Sequence, residues 1–178
     1  MEPKEIFIKN QKYTVEKLTF SDIADLEIVV RQWVRFDGEV LEEEVSETLE
    51  RFSKASAGEI DYHYVVIRDA IGRAVGISGV RQPADDMLEY ASEGQIAGEM
   101  VNVFLHKGLR RLGLGRVLFE TISDRARELG YQELIWNSGP RYEDTAWGFY
   151  TYLVGEPIAT AEDYYGKGRH APIWRKKL

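Results

Sequence analysis

One stretch, Glu99 to Gly130 (EMVNVFLHKGLRRLGLGRVLFETISDRARELG), constrains the fold more than any other part of this chain. Val101, Val103 and Leu105 alternate as the inward residues of a β-strand do. A turn rich in glycine and arginine follows, from Gly108 to Gly115. Leu114, Val117, Leu118, Ile122, Ala126 and Leu129 then recur at the i, i+3, i+4 spacing of an amphipathic helix. Gly130 stands where a helix C-cap glycine belongs. The unit reads as strand, tight turn and helix, with the turn delivering the helix N-terminus.

Such a turn has a chemical use. The first turn of a helix leaves backbone N–H groups without internal partners, and the aligned peptide dipoles place about half a positive charge there. Gly113 and Gly115 carry no side chain to block an approaching ligand, and Arg110, Arg111 and Arg116 add cationic donors. Phosphate or pyrophosphate suits that combination; a plain tight connection is the alternative. Two familiar phosphate motifs fail on spacing. The dinucleotide fingerprint G-x-G-x-x-G/A needs a small residue where Leu118 stands. A P-loop begins correctly with Gly108 and Gly113 but continues Leu114-Gly115 instead of Lys-Ser/Thr.

Arg110-x-x-Gly113-x-Gly115 does resemble the R/Q-x-x-G-x-G/A signature of the GNAT superfamily of acyl-CoA-dependent N-acyltransferases. The valine-rich strand before it and the amphipathic helix after it strengthen the likeness. The resemblance implies an α/β (α+β) fold, with a central mixed, mostly antiparallel sheet flanked by helices in the order β-α-α-β-β-β-α-β-α-β-β. It implies acetyl-CoA as cosubstrate and a primary amine as acceptor.

The rest of the chain is compatible with that order. At 178 residues it is read as one domain, 1–178, long enough for a full core. Strands are expected at 6–8 and 13–18, then a helix whose inner face is Ile23, Leu26, Val29, Val30, Trp33 and Val34. After a break at Asp37-Gly38, a second helix is expected from about Glu39 to Ser56, with Glu39, Glu42, Glu43, Glu47 and Glu50 on its outer face. That face could draw in a cationic amine or be a solvated surface. Two strands, 62–68 and 74–80, follow around a glycine turn, then a polar loop from Gln82 to Gly94. Beyond the central unit a strand is expected at 132–136, a short helix from about Glu143 to Leu153, and strands near 157–161 and 170–175.

Composition narrows the partners. A formal charge of −7 gives no broad basic footprint for nucleic acid, and no apolar run approaches the ~20 residues that span a bilayer. The N-terminus has no signal-like apolar core, so a cytoplasmic location is the default. The absence of cysteine removes thiolate metal sites and any acyl-cysteine intermediate, and the three histidines show no metal-ligand spacing. The acidic balance leans towards a cationic small-molecule amine or a lysine side chain as acceptor. Oligomeric state stays open, a homodimer included.

The resemblance also assigns roles. Val103, Phe104 and Leu105 would align the pantetheine through backbone groups, with an N–H near Val103 polarising the thioester carbonyl. The loop Arg110, Arg111, Leu112, Gly113, Leu114, Gly115 and Arg116 would hold the pyrophosphate. Glu99, eleven residues before Arg110, matches the general-base glutamate of the histone-acetyltransferase branch; an exposed strand-end carboxylate is the alternative. Ala146-x-x-Phe149-Tyr150 resembles the family's A-x-x-[FL]-Y segment, which makes Tyr150 the candidate acid for the departing thiolate. Two departures stand beside that match: Glu143 replaces the usual asparagine or serine, and Gly155 falls one residue late. A non-catalytic acyl-CoA-binding sensor or interaction module of the same fold would share the turn without needing Tyr150.

Overall fold

The computed structural model describes residues 2–178. In chain order the elements are β1 (Lys4–Ile8), β2 (Gln11–Lys17), α1 (Ile23–Trp33), β3 (Arg35–Phe36), β4 (Glu39–Val40) and α2 (Glu42–Ala57). Then come β5 (Tyr62–Arg68), β6 (Ala74–Arg81), α3 (Asp85–Leu88), β7 (Ala97–Leu105) and α4 (Leu114–Glu128). The chain closes with β8 (Glu133–Asn137), α5 (Gly148–Val154), β9 (Ala159–Ala161) and β10 (Ala171–Lys177). These elements form a mixed α/β fold whose large sheet is flanked by helices. No helix among the described residues is long and apolar enough to cross a membrane.

The chain divides into two compact units, and β7 contributes to both. The first unit takes residues up to Arg81 and Val101–Arg125. Its strands neighbour one another in the order β1-β2-β5-β6-β7, and the pairs β1/β2, β2/β5 and β5/β6 are antiparallel. One face of that sheet carries α1 and α2. Their apolar stripes, Leu26, Val29 and Val30 on α1 with Val45, Phe52 and Ala55 on α2, bury against Tyr64, Val66, Ile77 and Phe104. Asp22 sets the start of α1. It accepts the Thr19 N–H at 2.8 Å and is gripped by the Arg68 guanidinium of β5, at 2.7 Å to each oxygen. That fork-to-fork pair fixes the helix against the sheet.

The second unit takes Gln82–Met100 and Ala126–Leu178, with strand order β7-β8-β10-β9. Here β7 and β8 run parallel, with Ala97 opposite Glu133, Gly98 opposite Leu134 and Glu99 opposite Ile135. β10 is antiparallel to both β8 and β9. Its core joins Met87, Ile135, Ala171 and Ile173.

The two strands expected at the N-terminus are present and pair as a hairpin, with Ile6 opposite Tyr13. The sequence expectations differ from the structure at three places. Glu39 and Val40 form a two-residue strand with Arg35 and Phe36, so the second helix begins at Glu42 instead of Glu39. Asp37 and Gly38 have φ of 48° and 84°, the left-handed pair that closes a two-residue hairpin. The expected loop 82–94 contains α3, one turn long, in which Met87 is buried while its neighbours are exposed. A single buried anchor leaves no periodicity to read. The helix expected from Glu143 is π-helical over 143–147 and becomes regular only at Gly148.

Candidate active site

The turn between β7 and α4 is built by the end of α1. Past Leu105, the His106 N–H bonds the Val75 carbonyl at 2.8 Å. A 3₁₀ turn then spans Lys107–Leu109, with His106 Nδ1 accepting the Gly108 N–H at 3.1 Å. Gln32 Oε1 accepts the Lys107 N–H at 2.7 Å, and the Trp33 indole N–H donates to the Leu105 carbonyl at 2.7 Å. Lys107 Nζ lies 5.1 Å and Arg110 Cζ 5.3 Å from the centre of the Trp33 ring, so the indole carries two cations of the turn on its π face. Sequence could not show the ties made by Gln32 and Trp33, because they join residues more than seventy positions apart.

From Arg110 the backbone changes hand at successive residues: φ is −67° at Arg110, +60° at Arg111, and +94° at Gly113, with Leu112 between them on the negative side. Alternation of this kind turns successive N–H groups towards one concave side, an anion-binding nest. Left-handed backbone at Arg111 costs about 1–2 kcal/mol, so the surrounding ties must hold it there. Among the described residues no protein acceptor takes the N–H of Arg111, Leu112, Gly113, Leu114 or Gly115. The helix closes behind them, with the Arg116 and Val117 N–H groups reaching back to the Gly113 carbonyl at 3.1 and 3.2 Å. A Cβ on Gly113 would meet nothing within 4 Å, so the concavity is open. Arg110, Arg111 and Arg116 are exposed around it.

The other predicted residues divide between side-chain and backbone roles. Phe104 and Leu114 are buried in the core and can offer a ligand only their main chain. Val103, Leu105 and Leu112 are half-buried. The Leu105 carbonyl already serves Trp33, which leaves Val103 as the better placed of the two for pairing with a ligand strand-fashion. Asn102, just before it, has φ +53°, a left-handed residue inside β7. The ladder from β7 to β8 ends at Glu99, three residues earlier.

In the second unit, Glu99 is not the exposed strand-end carboxylate that was the alternative reading. It is 5% exposed, and its Oε2 accepts the Ala84 N–H at 3.0 Å, tying the residue ahead of α3 to β7. Tyr150 is 6% exposed. Its ring centroid lies 5.5 Å from that of Trp136 on β8 and 5.3 Å from that of Trp174 on β10. Burial among these rings, with Tyr142 and Tyr165 adding to it, pushes the phenol well above its ordinary value. Its hydroxyl makes no hydrogen bond among the described residues. A neutral O–H without a protein partner is a donor waiting for an acceptor.

Residues 27–155 match the model of the acetyltransferase (GNAT) family. This chain belongs to the GNAT family. Comparison with curated protein sequences gives no match. Solved GNAT-like structures share the fold over nearly the whole length. A GNAT-family protein from Desulfovibrio desulfuricans is 20% identical, with a TM-score of 0.72 over 93% of this chain and 98% of its own. A phosphinothricin acetyltransferase from Sinorhizobium meliloti, solved with acetyl-CoA, is 20% identical at TM-score 0.69 over 93% and 88%. A Salmonella typhimurium protein solved with acetyl-CoA is 15% identical at TM-score 0.67 over 93% and 94%. Family membership makes acetyl transfer the reaction class.

Proposed function

We propose that the chain transfers the acetyl group of acetyl-CoA to a primary amine by direct attack within a ternary complex. The observation that carries this reading is the run of unpartnered amides from Arg111 to Gly115 at the head of α4, ringed by arginines. A diphosphate has the charge and the acceptor oxygens to occupy such donors. The two GNAT-like structures that hold acetyl-CoA support the same ligand here. The chain contains no cysteine, which favours direct transfer over a thiol-bound intermediate.

Acetyl-CoA supplies an acetyl thioester, whose carbonyl the amine attacks. Arg110, Arg111 and Arg116 hold the pyrophosphate with the loop amides, and Val103 aligns the pantetheine arm and offers its N–H to the carbonyl oxygen. An ammonium with a pKa near ~10.4 cannot attack until it loses a proton. Glu99 takes that proton, directly or through water, its carboxylate held in orientation by the Ala84 amide. Tyr150 donates its O–H to the departing sulfur. Burial makes the phenol a weaker acid than a thiol of pKa ~8.5, so its part is to stabilise the developing thiolate by a hydrogen bond.

The reading is tested by thiol release. A thiol-reactive dye sees only the coenzyme A freed from acetyl-CoA, because the protein contributes no thiol. Amine-dependent release across a panel of amino acids, polyamines, aminoglycosides and lysine peptides is the expected result. Stabilisation by coenzyme A with no release from any amine would instead make the protein an acyl-CoA-binding module. For Glu99, the variant Glu99→Gln keeps an oxygen for the Ala84 N–H but loses the base. It should lower kcat by roughly 100-fold, with the deficit shrinking as pH rises and the amine deprotonates itself. A melting temperature lowered with kcat intact would leave Glu99 as a tether only.

A further inference from the structure

A group of side chains beside β7 takes no part in the transfer chemistry above. Tyr62 and Tyr64, two apart on β5, face the same way, with rings 5.9 Å apart and nearly parallel. Tyr64 is buried, meets Phe52 edge-on at 4.9 Å, and donates its hydroxyl to Asn102 Oδ1 at 2.7 Å. Asn102 is the left-handed residue of β7 and immediately precedes Val103. Two guanidiniums converge on this pair of phenols. Arg81, at the end of β6, donates to the Tyr62 hydroxyl at 2.8 Å and lies over the Tyr62 ring, 5.3 Å from its centre. Arg51 of α2 approaches the Tyr64 phenol.

Arg51 breaks the charge pattern of its surroundings. The chain has 30 acidic residues against 23 basic ones, so most cations have a carboxylate within reach. Nearby helix cations use one: Arg31 pairs with Glu27 and Glu42, and Lys54 with Glu50. Among the described residues Arg51 has no ion pair, although it is half-buried on the most acidic helix. A partly desolvated guanidinium facing a neutral phenol has unused donors in a planar fork, and that fork matches a carboxylate bidentately.

We propose that Arg51 and Arg81, held by Tyr62, Tyr64 and Asn102, form a subsite for a carboxylate of the acceptor, so that the substrate is a primary amine that also carries an acid group, as an amino acid does. The inference rests on the acetyl-transfer reading, since Asn102 adjoins the strand residue assigned to the thioester. It reverses the preference suggested by net charge. A whole-protein charge of −7 acts at long range and is screened by salt, whereas two guanidiniums in a partly buried cluster act at contact distance.

Two readouts test it. As acceptors in the thiol-release assay, free amino acids should exceed the matching amino-acid amides in kcat/KM by roughly 10–100-fold. In binding, N-acetyl amino acids, the products, should raise the melting temperature more than their carboxamides at equal concentration. Arg51→Gln should bring both ratios close to one, and Arg51→Lys should recover part of each. Acid and amide behaving alike in the binding assay, or ratios untouched by Arg51→Gln, would overturn the subsite. Because binding does not require turnover, an acid preference without thiol release would overturn the transferase reading while leaving the subsite standing.

Discussion

Replacing Tyr150 with phenylalanine is expected to lower kcat by roughly 100-fold while leaving the fold as stable as before. The two halves of that expectation have separate causes. The Tyr150 ring packs against both Trp136 and Trp174, and phenylalanine keeps that contact. The hydroxyl bonds no group among the described residues, so its removal strands no buried partner; the melting temperature should move by no more than about 2 °C. What is lost is the O–H offered to the leaving sulfur, an interaction made only as the bond breaks. Such a loss falls on kcat and kcat/KM together and leaves the KM for acetyl-CoA near its original value. Because burial raises the phenol, the wild-type rate should show no alkaline decline from Tyr150 up to pH ~10. An unchanged kcat in Tyr150→Phe would remove the residue from the mechanism and leave it an aromatic of the core.

The parts of this molecule that were legible from the chain are those whose information is local. The strand, turn and helix from Glu99 to Gly130 could be read because periodicity changes from two to 3.6 across a run of glycine and arginine, and Gly130 does close the helix at φ +87°. Gly113, whose φ of +94° no other residue adopts comfortably, is the same kind of local signal. Burial of Tyr150 was not local. It depends on Trp136 and Trp174 from two other strands, and the family likeness that singled out Tyr150 carried no information on its burial. Trp33 illustrates the same limit from the other side. Its place on the inner face of α1 was clear from spacing, yet its use as a clamp on Leu105, Lys107 and Arg110 needed the fold to bring distant residues together. The Arg51 cluster was invisible for a further reason: a cation without a carboxylate is recognised only after every nearby carboxylate has been located.

Gly113→Ala should weaken acetyl-CoA binding by about 100-fold, some 2.7 kcal/mol, and the structure separates this effect from simple misfolding. A methyl group at this position meets no protein atom within 4 Å, so overpacking is not the cause. The first cause is backbone strain, since φ +94° lies in a region that L-residues with a Cβ rarely adopt. Relaxing that strain turns φ back towards negative values and breaks the alternation that aims the amides of Arg111 to Gly115 at one point. The second cause is occupancy: the open space in front of Gly113 is where the proposed diphosphate lies, and a methyl group would stand in it. Keeping the strain costs stability, about 1–2 kcal/mol, or a few degrees of melting temperature. Relaxing it costs the nest. Calorimetric titration with coenzyme A, run beside thermal unfolding of the unliganded variant, reads the two costs separately. A variant that melts lower yet binds coenzyme A as tightly as the parent would show that the turn is a connection only, with the ligand held elsewhere.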